Sequence, residues 1–223
     1  GGFGVDAALN TPVLARAEVE ERRGLALGET TLVITFHPET GRVGTSAQSQ
    51  MMELLAALEQ VEASLVFTMP NADVGGRGLF GVLQTFVAQH SARACVHTSL
   101  GQTLYLSVLA LSAGVIGNSS SGLIEAPAFG VGTVNIGSRQ DGRLKAASVI
   151  DCAPNRRDIT QALGVLLRSE TRSRNSKGIQ NPYGQGGAAK RTVTVIEGWE
   201  PQCGNKRFYD LNFVSDEAGR VAV

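Results

Sequence analysis

The sequence has no long apolar stretch and no excess of charge of either sign. Its 223 residues carry 20 Lys and Arg against 20 Asp and Glu, so the formal net charge is zero. A neutral chain lacks the basic field that attracts nucleic acids and anionic lipid surfaces. No apolar run reaches the ~18 residues that a membrane span requires. We therefore expect neither nucleic acid nor a membrane as a partner.

Cysteine is scarce, and several familiar motifs are missing. The three cysteines, Cys95, Cys152 and Cys203, lie far apart without C-x-x-C spacing, and only 5% of the residues are aromatic. This argues against a disulfide framework and a zinc knuckle, and it predicts free, buried thiols in the cytoplasm. The sequence also lacks the P-loop, the complete G-x-G-x-x-G, the G-x-S-x-G elbow and His/Cys metal spacing. We expect no metal and no cofactor.

The first residues also lack features of a natural start. The chain begins Gly-Gly-Phe-Gly, with no methionine and no basic region followed by an apolar one. A secretory signal peptide is therefore not indicated. We expect a processed product or a fragment of a longer chain.

Short apolar runs alternate with segments of helical periodicity. Strands are predicted at 31–36, 65–68, 94–96, 115–116, 133–136 and 148–150, and helices at 46–62, 79–89, 102–111, 123–129, 157–167 and 188–196. This alternation predicts βαβ units, and hence a doubly wound, Rossmann-like parallel sheet in an α/β domain. Ligands of such sheets bind beyond the carboxyl ends of the strands.

Two segments do not fit that alternation. Residues 168–187 are charged, polar and rich in turn formers, so we expect a long loop there. Residues 199–213 form an irregular tail with apolar anchors, among them Phe208 and Phe213.

The strongest local motif is GNSSSGLIE at 117–125, where a predicted strand ends before an apolar helical segment. Hydroxyls and backbone N–H groups at such a turn suit phosphate oxygens, but Ser and Asn are equally common as helix caps. Glu125 follows on the first turns of the same predicted helix. Its carboxylate suits ribose hydroxyls, or else it only complements the helix dipole.

Other polar residues follow neighbouring strands. His37 comes directly after the first strand, at the predicted carboxyl edge of the sheet. Asn71 follows the second strand and is a candidate for a base or ribose edge, while Arg77 pairs with either Asp73 or a phosphate. Arg139, in the loop after the strand at 133–136, is placed to reach the same ligand with its planar guanidinium, or else it begins a solvated helix.

Several blocks together resemble the C-terminal half of the hydrolysing UDP-N-acetylglucosamine 2-epimerases. They are FHPET at 36–40, PNADVGGR at 70–77, TSLGQ at 98–102, GNSSSGLIEAPAFGVGTVNIGSRQDGR at 117–143 and NPYGQGGA at 181–188. The resemblance covers about residues 1–198 and implies the C-terminal half of a GT-B fold. Residues 1–198 are then expected to form the nucleotide-sugar-binding domain, and residues 199–223 a tail that packs on a missing N-terminal domain.

The resemblance also implies an activity and residue roles. The family reaction converts UDP-N-acetylglucosamine and water to N-acetylmannosamine and UDP, in the synthesis of sialic-acid-type sugars. Ser119 and Ser120 would hold the diphosphate, Glu125 the ribose and Arg139 the nucleotide. His37 would lie beside the glycosidic phosphate as a catalytic or phosphate-stabilising group. The carboxylates that move the C2 proton belong to the family's N-terminal half, so the isolated chain is expected to be inactive.

Two other functions are compatible with these residues. Half of a retaining GT-B glycosyltransferase would also bind a nucleotide sugar, although the usual Arg/Lys pair is missing. A non-catalytic nucleotide-sugar-binding module would keep Glu125 and the serine-rich turn without needing His37. In each case UDP or a UDP-sugar is the expected small partner, and a homo-oligomer is the expected assembly.

Overall fold

The computed structural model describes residues 1–24, 26–37, 46–69, 76–176 and 178–200. Clustering of contacts divides the chain into two units, residues 1–189 and 190–223. The second unit is described only over residues 190–200, where Val195, Ile196 and Trp199 are exposed. The predicted boundary after residue 198 stays a prediction, and the apolar anchors of the tail lie outside the described residues.

The first unit is built on six parallel strands in the order β3-β2-β1-β4-β5-β6. The strands are β1 (Thr31–Thr35), β2 (Ser64–Thr68), β3 (Ala94–His97), β4 (Gly114–Gly117), β5 (Thr133–Ile136) and β6 (Val149–Cys152). The order reverses between β1 and β4, so a topological switch point lies there. The predicted doubly wound α/β sheet is confirmed.

Two helices precede β1, and at least one helix follows each strand except β5. The helices are α1 (Phe3–Asn10), α2 (Arg16–Arg23), α3 (Ala47–Leu58), α4 (Gly76–Gln89), α5 (Gly101–Leu111), α6 (Ser121–Ile124), a 3₁₀ helix (Ala126–Phe129), α7 (Arg156–Leu166), α8 (Ser169–Ser176) and α9 (Ala188–Glu197). No helix in the described part of the chain is both long and apolar enough to cross a bilayer.

Both faces of the sheet are covered. Leu32 and Ile34 of β1 belong to the same buried cluster as side chains of α3, α4 and α7. Val33, between them, belongs to a cluster with Val19 of α2 and Val108 of α5. Since successive side chains of a strand point to opposite faces, β1 is buried on both and reads as a continuous apolar run.

The sequence-based assignment was wrong in one long segment. Residues 169–176, expected within a loop, form α8, a polar helix without an apolar stripe. Asn175 in this helix is buried, at 5% exposed, and its Nδ2 lies 2.8 Å from where a methyl group on Gly132 would sit. A polar helix of this kind has no periodic apolar signal in its sequence.

Smaller differences have equally local causes. The helix predicted at 123–129 is divided into α6 and the 3₁₀ helix, because Pro127 has no N–H to continue an α-helix. Helices α1 and α2 were not predicted. In α2 Val19 is fully buried, while Arg16–Glu20 and Glu18–Arg22 form partly exposed i,i+4 ion pairs. Cys95 and Cys152, the cysteines among the described residues, are not bonded to each other and are half-buried, where the sequence predicted buried thiols.

Candidate functional site

A cleft of about 410 Å³ lies beyond the carboxyl ends of β1 to β4. Its lining is rich in hydroxyl groups, together with an imidazole and an amide: Thr35, His37, Thr68, Thr98, Ser99, Gln102, Tyr105, Ser119 and Ser121. The switch point of the sheet therefore opens into a polar cavity that offers several donors and acceptors to one ligand.

His37 lies in this cleft, two residues beyond the end of β1, and is 7% exposed. Its main chain is bound on both sides by one side chain. The His37 N–H donates to Asn118 Oδ1 at 2.7 Å, and Asn118 Nδ2 donates to the His37 carbonyl at 2.9 Å. The imidazole is thus carried by a fixed segment of backbone at the sheet edge where the sequence predicted it.

The serine-rich turn after β4 depends on Gly117. Its φ is 131°, and a methyl group there would lie 2.0 Å from the Thr35 carbonyl oxygen. Only glycine accommodates this close approach of β4 to β1. The turn places Ser119 and Ser121 in the cleft, with the Ser121 N–H donating to Ser119 Oγ at 3.3 Å. Ser120 directly precedes α6 as its N-cap residue, without a side-chain capping bond.

Glu125 follows the four-residue α6 instead of lying within a longer helix. Among the described residues, its buried Oε2 has no hydrogen-bond partner. Burial raises the pKa of Glu125, and hydrogen bonds from the Ser121 side chain and the Glu125 backbone act in the opposite direction. An unpaired buried carboxylate oxygen is costly, so a ligand hydroxyl that bonds to it gains correspondingly.

Tyr105 connects the cleft to this carboxyl group. Its hydroxyl donates to Ser121 Oγ at 2.6 Å, and burial raises the pKa of Tyr105 to about 12. The phenol therefore keeps its proton and acts as a donor at neutral pH. Sequence reasoning missed both Tyr105 and Ser121, because they lie 16 residues apart on different elements.

Arg139 and Gln140 reach back to the serine-rich turn from the loop after β5. Arg139 Nη1 and Gln140 Nε2 both donate to the Asn118 carbonyl, at 3.1 and 2.7 Å. The structure thus brings Arg139 to the turn, as the sequence predicted. Gln140, 1% exposed, was missed.

Of the seven predicted site residues, His37 and Ser119 line the cleft, Ser120 and Glu125 lie at the two ends of α6, and Arg139 bonds to the turn at the Asn118 carbonyl. Asn71 and the side chain of Arg77 lie outside the described residues. Within the ranges that the structure describes, no group of three or more His, Cys, Asp or Glu side chains is placed to hold a metal ion.

Comparison with known proteins identifies relatives. A family model for UDP-N-acetylglucosamine 2-epimerase matches residues 1–197. The GDP/UDP-N,N'-diacetylbacillosamine 2-epimerase (hydrolyzing) of Campylobacter jejuni is 36% identical over 162 residues, which are 72% of this chain and 41% of that protein. Polysialic acid biosynthesis protein P7 of Escherichia coli is 32% identical over 95% of this chain and 54% of its own length. The chain spans about half the length of the curated relatives it matches.

Solved structures agree on the fold. The S. aureus MnaA–UDP co-structure matches with a TM-score of 0.66 at 18% identity, over 88% of this chain and 53% of that one. An epimerase-like structure from Listeria monocytogenes matches with a TM-score of 0.61 at 19% identity, over 86% of this chain and 51% of that one. The expectation that the chain folds as one half of a GT-B protein is confirmed.

Proposed function

The chain belongs to the UDP-N-acetylglucosamine 2-epimerase family, and we propose that it is the nucleotide-binding half of a hydrolysing member. The whole protein would convert UDP-N-acetylglucosamine and water to N-acetylmannosamine and UDP. The observation that carries the proposal is the cleft at the switch point, where His37, Ser119 and Ser121 meet beside Glu125. Relatives from Campylobacter jejuni and Legionella pneumophila, whose names include "hydrolyzing", support the reaction type.

The proposed reaction has two stages. A base removes the C2 proton of the sugar, and the C1–O bond breaks so that UDP leaves with both electrons of that bond. A glycal-like intermediate with a C1–C2 double bond forms. Water then adds at C1, and a proton returns to C2 from the opposite face. The proton-transferring carboxylates belong to the N-terminal half by family resemblance, so this chain's part is to bind the nucleotide and stabilise the leaving group.

The side chains of the cleft suit that part. Negative charge grows on the diphosphate as the C1–O bond breaks, and a protonated imidazole with fixed hydroxyl donors stabilises such charge most when it is already in place. His37 and Ser119 are held by backbone that Asn118 and Gly117 fix. Arg139 lies at the same turn and supplies a permanent positive charge.

Glu125 would recognise the ribose. Its Oε2 is buried without a partner among the described residues, so a ribose hydroxyl would supply the missing donor. Asn71 and Arg77 stay candidates for the base and the phosphates. We include in the proposal a homo-oligomeric protein in sialic-acid-type sugar synthesis. We also include a cytoplasmic location, since the three widely spaced cysteines of the sequence do not suggest a disulfide framework.

UDP binding tests the proposal directly. Calorimetric titration of this chain with UDP should give saturable heat, and Glu125→Ala should weaken binding about tenfold or more, as expected for losing a buried charged acceptor. Glu53→Ala is the matched control, because Glu53 accepts from the Arg156 N–H at the start of α7, away from the cleft. A folded chain that shows neither heat nor NMR shifts with millimolar UDP contradicts the proposal.

The hydrolysing reaction has an isotopic signature. In ¹⁸O-labelled water, the protein completed with its N-terminal half should place ¹⁸O at C1 of N-acetylmannosamine and none in UDP, because the C1–O bond breaks. UDP-N-acetylmannosamine as the product would instead indicate a non-hydrolysing epimerase. This chain alone should show no turnover, because the loss of a single general acid or base already costs about 10² to 10⁴ in rate.

A further inference from the structure

Asn118 is fully buried at the point where β1 and β4 separate. The two strands pair in parallel as far as Thr35 and Gly117, and the Asn118 N–H then donates to the Thr35 carbonyl at 3.1 Å. Beyond this bond, the Asn118 side chain makes the next hydrogen bonds between the two segments. A carboxamide has one acceptor and a donor group, as a peptide unit has, so it can bond to both polar groups of a neighbouring backbone.

The backbone that it binds is that of His37. Asn118 Oδ1 accepts from the His37 N–H at 2.7 Å, and Asn118 Nδ2 donates to the His37 carbonyl at 2.9 Å. These two bonds fix the main chain of His37 just past the end of its strand. The imidazole then starts from a backbone position that is set relative to Ser119, the next residue after Asn118.

The main-chain carbonyl of Asn118 joins a third element to this point. It accepts from Gln140 Nε2 at 2.7 Å and from Arg139 Nη1 at 3.1 Å. One buried residue therefore connects the end of β1, the turn after β4 and the loop after β5. Each of these segments supplies a residue of the proposed nucleotide site.

We propose that Asn118 is the positioning residue of this site, which sets His37 relative to the serine-rich turn through its two side-chain hydrogen bonds. The inference rests on the proposed function, since the effect of fixing the imidazole is measured as a change in nucleotide affinity. Asn118 acts through His37 and not by contact with the ligand.

The chemistry of the side chain explains why asparagine is suited to this position. Alanine removes both bonds and leaves a buried N–H and C=O of His37 without partners, which forces the backbone to move towards other partners. Aspartate has nearly the same shape and keeps the acceptor, and when burial holds it protonated its O–H can replace the N–H towards the His37 carbonyl, at the cost of that protonation. The order of function should therefore be Asn, then Asp, then Ala.

A double-mutant cycle on UDP binding separates this role from general stability. Asn118→Ala should weaken UDP binding about tenfold in the parent chain, as expected for displacing one hydrogen-bond donor from the ligand. In a His37→Ala background the same change should weaken binding less than about twofold, because the group that Asn118 positions is already gone. Asn118→Asp should give an intermediate loss of UDP affinity, and this variant is measured instead if Asn118→Ala does not fold.

Two controls make the outcome decisive. Asn155→Ala removes another asparagine, the N-cap of α7 whose Oδ1 accepts from the Asp158 N–H at 2.9 Å, and it should lower stability without changing UDP affinity. An equal loss of affinity in the parent and His37→Ala backgrounds overturns the proposal, because Asn118 would then act without His37. So does a folded Asn118→Ala chain that keeps its full affinity.

Hydrogen exchange tests the same bond without a ligand. The His37 amide should be protected in the parent chain and should lose at least tenfold of that protection in Asn118→Ala, with Val33 in β1 unchanged as an internal reference. If the parent chain does not bind UDP, the proposed function fails, and this exchange measurement still decides whether Asn118 holds His37. Unchanged protection at His37 overturns the positioning role.

Discussion

Glu125 Oε1 lies 2.7 Å from the position that a methyl group on Gly4 would occupy. Helix α1 thus passes so close to this carboxyl group that a side chain at position 4 would have to displace it. The same methyl group would lie 2.8 Å from Ile124 Cγ2. The position of Glu125, the proposed ribose-binding residue, therefore depends on the first helix of the chain.

Gly4→Ala should weaken UDP binding severalfold while changing stability little. The glutamate is the end of a flexible side chain and can turn away, and alanine is worth up to about 1 kcal/mol over glycine inside a helix, which offsets the strain. Calorimetry with UDP and urea unfolding measure the two effects separately.

Gly81→Ala in α4 is the matched control, because a methyl group there meets no atom within 4 Å. It should raise the free energy of unfolding by about 0.4 to 1 kcal/mol and leave UDP affinity unchanged. Equal UDP affinity for Gly4→Ala and the parent chain would show that the contact with Glu125 has no influence on the site.

The contribution of Glu125 to the stability of the chain should fall as pH rises past the ordinary pKa of a glutamate, about 4.3. Burial raises the pKa of Glu125 in the folded chain, so the folded state holds this proton more tightly than the unfolded state. The contribution to stability is complete below the unfolded pKa and is lost as pH rises through the folded pKa.

Glu125→Gln should remove this part of the pH dependence. The difference in free energy of unfolding between the variant and the parent should grow from near zero at low pH to a constant value in favour of the variant above the folded pKa. Urea unfolding of both proteins between pH 4 and pH 8 measures it. Parallel pH profiles would mean that Glu125 titrates alike in both states.

Gly117→Ala should be severely destabilising, by about 3 kcal/mol or more, because strain and a backbone clash combine. The methyl group would lie 2.0 Å from the Thr35 carbonyl oxygen, which cannot retreat while it accepts from the Asn118 N–H. Gly142→Ala is the control, with φ of 76° and no atom within 4 Å, and should cost only about 1 to 2 kcal/mol. Thermal unfolding should show a clearly larger loss of stability for Gly117→Ala than for Gly142→Ala. Equal losses would show that the backbone clash at Gly117 does not contribute.

The sheet was predictable because its strands are buried on both faces. Runs such as Leu32, Val33 and Ile34 are apolar without alternation, and glycines and polar residues mark their ends. His37 and Ser119 could be placed at the sheet edge by the same reasoning, since each follows a strand. Local pattern was sufficient for these residues.

The bonds that hold the site together were not predictable, because they join distant segments. Asn118 and His37 are 81 residues apart, and nothing local distinguishes an asparagine that binds a backbone from one that caps a helix. Helix α8 was not predicted because its sequence is polar throughout, and the burial of Asn175 within it has no local signal. Such features depend on tertiary contacts that periodicity does not encode.

Asp6→Ala should destabilise the start of α9. The Asp6 carboxylate accepts from the Ala188 and Ala189 N–H groups at 3.1 and 2.7 Å, so it caps this helix from α1. Loss of a charged N-terminal cap costs about 1 to 2 kcal/mol. Asp6→Asn keeps an acceptor and should lose about half as much. Thermal unfolding with hydrogen exchange at the Ala188 and Ala189 amides checks this, and unchanged exchange at both would contradict the capping role.

Tyr105→Phe should cost about 1 kcal/mol of stability, because it removes only the hydroxyl that donates to Ser121 Oγ at 2.6 Å. The ring keeps its packing, and the phenol carries no charge at neutral pH, since burial raises its pKa to about 12. Ser121→Ala removes the other end of the bond. If both single variants lose stability because they break this bond, the double variant should lose less free energy of unfolding than the sum of the two single losses. The difference, the coupling energy, should be about 0.5 to 1 kcal/mol. Urea unfolding of the four proteins measures this coupling, and losses that add within about 0.3 kcal/mol would show that Tyr105 and Ser121 contribute independently.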